Sequence, residues 1–132
     1  MDVVVDASVI IAVIADEPEK ESLIRLTIGT HLIAPHSVHW EIGNAFSAML
    51  RRKRATPNIV AQALDVYRQI PIRFVDVELD ESLEIADVLG IYAYDAYLIR
   101  CAQKYSAPLI SLDAGLMTSA KRYKVRVIEV NA

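Results

Sequence analysis

The stretch VVVDASVIIAVIADEPE, Val3 to Glu19, changes character at Asp6. Three β-branched residues favour a strand, and the residues beyond the aspartate read as a helix, with Asp6 and Ser8 at the junction. A strand that ends on a carboxylate and runs straight into a helix is the opening of an α/β unit. Pro18 starts a second helix over EKESLIRLTIG, Gly29 closes it, and HLIAP reads as the next short strand.

The pattern repeats outward. From Ser37 to about Arg54, residues Val38, Ile42, Ala45, Phe46, Met49 and Leu50 keep helical spacing, and the run ends in the cations Arg51, Arg52, Lys53 and Arg54. Pro57 begins another helix. IRFVDV reads as a strand, and Asp80 is placed to cap a helix over ESLEIADVL that Gly90 ends. Asp95 starts the next helix. LISLD then reads as a buried strand ending at Asp113, a short helix runs to about Tyr123, and VRVIEV closes the series. Strands separated by helices call for a mostly parallel sheet of about five short strands flanked by helices, and ligands of such sheets gather beyond the carboxyl ends of the strands.

The 132 residues suit a single domain over 1–132, and 54% apolar with 23% charged residues describes an ordinary globular chain. The lone Cys101 lies on an apolar helix stripe and is expected to be a buried structural thiol. No leader pattern opens the chain, and no apolar run approaches the roughly 20 residues that cross a bilayer, so a cytoplasmic protein without a membrane partner is expected. The formal charge of −3 argues weakly against nucleic acid. With four carboxylates committed to cations, however, the balance of the rest turns slightly positive.

Four carboxylates stand out. Asp6 and Asp113 end strands, Asp95 lies on the apolar stripe of Leu98, Ile99, Cys101, Ala102 and Tyr105, and Glu41 borders the apolar face of the long helix. Asn44 is one turn beyond Glu41 and can address the same place. A buried carboxylate without a partner is costly, so Asp95 must cap its helix, be paired, be protonated or meet a metal.

The motifs VVDAS, EIGN, YDAYL and SLDAGL, in this order and context, resemble the PIN domain, and the chain as a whole resembles a VapC-type toxin of a toxin–antitoxin pair. That resemblance implies a PIN-like α/β fold and a metal-dependent endoribonuclease with Asp6, Glu41, Asp95 and Asp113 as the acidic catalytic and metal site. Ser8 takes the position of the small hydroxyl residue and Asn44 that of the helix asparagine. Ser111 stands where many relatives carry threonine. The resemblance also implies an RNA substrate, a homodimer and a small VapB-like antitoxin. Hard oxygen ligands without histidine or thiolate favour Mg2+ or Mn2+.

Other readings compete at each position. Asp6, Asp95 and Asp113 are good caps or turn residues in their own right. His36 and His39 near Glu41 raise a zinc site, against which stand the absence of H-E-x-x-H and of a cysteine pair. Arg52, eleven residues after Glu41, falls within about 20° of the same helix face and roughly 16 Å along it, where it can hold RNA backbone or simply face solvent. Tyr92, Tyr94 and Tyr97 can stack on bases or pack. Competing functions are another Mg2+-dependent phosphate-ester hydrolase, a nuclease acting on DNA, and a catalytically silent PIN-like interaction module.

Overall fold

The computed structural model describes residues 1–131. The chain runs through β1 (Asp2–Val5), α1 (Ala7–Ile14), α2 (Lys20–Thr27), β2 (His31–Pro35), α3 (Ser37–Arg51), α4 (Pro57–Gln69) and β3 (Ile72–Val75). It continues through α5 (Leu79–Leu89), α6 (Ala93–Lys104), β4 (Leu109–Ile110), α7 (Ala114–Arg122) and β5 (Val127–Ile128). The strands form one sheet in the order β3-β2-β1-β4-β5, and every pairing is parallel. This is the α/β arrangement expected from the sequence, a parallel sheet of five short strands flanked by helices.

β1 sits at the centre because Val3, Val4 and Val5 can be covered on both faces, and all three are buried. Val4 pairs with Ile33 on one side and Leu109 on the other. From β1 the chain builds outward through β2 to β3, then returns to place β4 on the opposite flank. Such a reversal opens a crevice beyond the carboxyl ends of the central strands, here between β1 and β4. Asp6 follows β1 there, and Ser111 to Asp113 follow β4.

Several boundaries fall short of the sequence reading. α3 ends at Arg51 rather than near Arg54: Lys53 is left-handed (φ 55°), and the Arg54 amide donates back to the Met49 carbonyl at 2.9 Å. This closure satisfies carbonyls that a helix end leaves open. β4 stops at Ile110 because both partners end there: Ile110 pairs with Val5, the last residue of β1, and with Ile128, the last of β5. β5 pairs only with the two residues of β4, so VRVIEV shortens to Val127–Ile128. Asp80 lies within the first turn of α5, not at its cap, which is Glu78.

Cys101 is fully buried on the inner face of α6, and burial pushes its thiol up to about 12. Among the described residues no helix is long and apolar enough to cross a membrane.

Candidate active site

Asp6 and Asp113 are each the N-cap of the helix that follows. Asp6 accepts from the Val9 amide at 3.3 Å, and Asp113 Oδ1 accepts from the Leu116 amide at 3.2 Å. Capping and site membership are therefore compatible duties, since a cap occupies only part of a carboxylate's acceptor capacity. Asp95 behaves differently. It is the third residue of α6, whose N-cap is Tyr92, and Tyr92 makes no side-chain capping bond. The expectation that Asp95 starts the helix moves by two residues, and the carboxylate stays half-buried on the first turn.

Two serines hold Asp6. Ser8 Oγ donates to Oδ1 and Ser111 Oγ donates to Oδ2, both at 2.7 Å. Each serine also receives a backbone amide: Leu112 N–H donates to Ser8 Oγ at 3.0 Å, and Asp113 N–H to Ser111 Oγ at 2.9 Å. The ends of β1 and β4 are thereby laced together, and both oxygens of Asp6 are fixed in direction. Ser8, two residues after Asp6, reaches it within one turn. Ser111 was not among the expected site residues, although it stands where many relatives carry threonine and precedes Asp113 by two, mirroring Ser8 two after Asp6; only the pairing of β1 with β4 brings it within reach.

The electrostatics join all four acids. Burial raises the Asp6 carboxyl, its two serines and the Val9 amide draw it back, and Asp113 adds repulsion. Burial first, then the charges of Asp6 and Asp95, push Glu41 up to about 7. Burial and Asp113 raise Asp95. Repulsion thus links β1, α3, α6 and the start of α7 around one crevice. Glu41 Oε1 is buried without a hydrogen-bond partner, which is costly in a finished interior and ordinary in a site awaiting a ligand.

Among the described residues no three His, Cys, Asp or Glu side chains form a ready-made metal cage. The donor set still fits a hard divalent cation. It is all oxygen, it is short of positive charge, and an ion such as Mg2+ keeps several waters and needs only one or two carboxylates directly. The histidines do not compete: His36 Nε2 meets Asp76 Oδ1 at 3.2 Å, and His39 Nδ1 lies 2.8 Å from the Tyr67 hydroxyl. Asn44 is exposed one turn beyond Glu41, and Arg52 is exposed at the end of α3.

The family model for the PIN domain matches residues 3–122. A comparison with curated proteins finds no match. Among solved structures, PAE2754 from Pyrobaculum aerophilum superposes with a TM-score of 0.74 at 23% identity, over 96% of this chain and 83% of that one. Mycobacterium tuberculosis VapC20, described as a sarcin-ricin loop cleaving toxin, gives 0.64 at 16% identity, over 89% and 94%. At these identities the likeness is one of fold.

Proposed function

The chain belongs to the PIN domain family, and on that footing we propose that it is a Mg2+- or Mn2+-dependent endoribonuclease, the toxin half of a toxin–antitoxin pair. The observation that carries this reading is the linked set of acids at the crevice between β1 and β4: Asp6, Glu41 and Asp95 are raised by burial and by neighbouring carboxylates, the charge of Asp113 among them, with no protein cation among the causes. The fold shared with a toxin described as cleaving the sarcin-ricin loop supports an RNA substrate.

Asp6, Glu41, Asp95 and Asp113 would hold the cation, which supplies charge neutralisation and Lewis acidity toward a phosphodiester. The chain's own residues supply the rest. Ser8 and Ser111 fix both oxygens of Asp6, so that its direction is set before substrate arrives. Carboxylates not engaged in direct ligation orient the attacking water. Asn44 addresses the same crevice from α3, and Arg52 holds RNA backbone away from the cut. A cognate VapB-like antitoxin blocks the acidic groove, the toxin works as a homodimer, and both act in the cytoplasm.

RNA cleavage with Mg2+ or Mn2+, with and without EDTA, tests the reading in the parent, Asp6→Asn and Asp95→Asn. Cleavage that depends on the metal and disappears in both variants is expected. Undiminished cleavage in either the variants or EDTA would sink the proposal.

A further inference from the structure

Beside the acidic crevice, beyond the carboxyl ends of β2 and β3, lies a cavity of about 220 Å³. Its walls are Pro35, Val75, Val77, Leu79 and Tyr97, and its polar groups are His36, Ser37 and Asp76. The volume falls below the roughly 300 Å³ at which sites for drug-sized ligands begin, so it suits a single planar ring.

Two observations on α3 tie it to the acidic site. Ser37 precedes Glu41 by four on α3, hence on the same face, about 6 Å along the axis. Ser37 Oγ and Glu41 Oε1 are also the two buried side-chain atoms left without a hydrogen-bond partner among the described residues. One turn of α3 therefore carries an unsatisfied polar atom at the acids and another on a residue of the cavity wall.

The loop that supplies Asp76 and Val77 is anchored by neighbouring ion pairs and hydrogen bonds. Arg100 Nε donates to Glu78 Oε1 at 2.9 Å and Lys104 Nζ lies 2.8 Å from Glu78 Oε2. Lys104 and the Tyr105 hydroxyl donate to the Asp76 carbonyl at 3.1 and 3.3 Å. The segment between β3 and α5 is thus clamped to α6, the helix that carries Asp95 and Tyr97. Tyr97 itself is braced edge-on by Tyr94. A clamped apolar slot with an aromatic wall and a few polar groups is how proteins take up an unstacked base.

We propose that this cavity is a subsite for one base of single-stranded RNA next to the scissile phosphate, and that Asp76 makes it prefer guanine. The inference rests on the ribonuclease reading for its place in the reaction. A carboxylate only accepts hydrogen bonds, and guanine presents two adjacent N–H donors on its Watson–Crick edge. Cytosine and adenine offer an amino group alone, and uracil offers one N–H between two carbonyls that face the carboxylate unfavourably. The Asp76 carboxylate stands at the open rim of the cavity, where His36 Nε2 lies 3.2 Å from one of its oxygens and leaves the other free to accept.

NMR of the 15N-labelled, metal-free protein, titrated with guanosine, cytidine, adenosine and uridine, tests the site without any cleavage. Guanosine is expected to shift the amides of Ser37, Asp76 and Val77, with uridine about fivefold or more weaker. Asp76→Asn should level the preference, and its side chain is 90% exposed, so the fold is not at stake. Leu79→Arg, at an exposed position, should plug the mouth and abolish the shifts. Equal shifts from all four nucleosides, shifts confined to other residues, or a response to tryptophanamide and not to nucleosides would overturn the subsite. Guanosine binding here in a protein that cuts no RNA with Mn2+ overturns the ribonuclease reading and leaves the subsite standing. Cleavage with unchanged base preference in both variants does the reverse.

Discussion

Glu41 and Glu78 are the same side chain in opposite circumstances. Glu78, at the N-cap of α5, faces Lys104 and Arg100, and hydrogen bonds from Lys104, its own backbone amide and Arg100 hold its carboxyl down at about 2. Glu41 has no such company: burial and the neighbouring charges of Asp6 and Asp95 push it up to about 7. The chain carries 14 Lys and Arg against 17 Asp and Glu, and it spends cations on the clamp between α5 and α6 rather than on the acidic crevice. Paired carboxylates join elements together. Unpaired ones in a crevice cost stability and are available to something outside the chain.

The largest effect expected from this contrast is on activity. Asp6→Asn or Asp95→Asn should lower RNA cleavage by about a hundredfold or more while far-ultraviolet circular dichroism stays unchanged, because each removes charge from the crevice and leaves the clamp alone. Loss of the fold along with activity would mean that these acids belong with Glu78 rather than with Glu41.

Ser111→Ala comes next. It frees Asp6 Oδ2 and the Asp113 amide from their shared partner. Cleavage should fall about tenfold, in the range seen when groups supporting metal ligands are removed. An intact rate would show that Ser8 alone orients Asp6.

Stability supplies the third test. The folded Glu41 carboxyl titrates above its ordinary 4.5, so between about 4.5 and 7 the folded state binds more protons than the unfolded one. Metal-free protein should therefore lose stability as pH rises through that window. Glu41→Gln should stabilise it above pH 7 by about 1 kcal/mol, after discounting the shift for partial exposure. Thermal melts in EDTA at pH 5 and pH 8 measure this. Added Mn2+ should stabilise the parent more than the variant.

Glu78→Gln should show the smallest change and the opposite sign. The folded pKa lies below the unfolded value, so the parent's advantage is full above about 4.5 and fades as pH falls toward 2. A modest drop in melting temperature at pH 7, shrinking in acid, is expected. A stabilising Glu78→Gln would erase the contrast with Glu41.

Much of this molecule was legible in order of appearance. The three valines before Asp6 announce a strand covered on both faces, Gly90 ends its helix in the left-handed conformation that favours glycine, and Cys101 goes to the interior with its stripe. Strand ends were less legible. Ser111 and Leu112 look like more of β4, yet that strand stops where its partner β1 stops, at Val5, 105 positions earlier than Ile110. The four acids could each be singled out by local position, and each also had a local alternative: cap or turn residue for the three aspartates, a solvated helix face for Glu41. Asp6 and Asp113 turn out to satisfy both descriptions.

Periodicity, capping chemistry and turn residues act over a few positions, so the sequence by itself determined the elements, their alternation, the parallel sheet and the candidates for its site. Tertiary structure alone decided which side chains met. The order β3-β2-β1-β4-β5 brings Ser111 onto Asp6, sets the charges of Asp6 and Asp95 against Glu41, and closes Asp76, Tyr97 and Ser37 around one cavity. Hydrogen bonds and Coulomb repulsion depend on distance in space. For residues a hundred positions apart, that distance exists only once the sheet has formed.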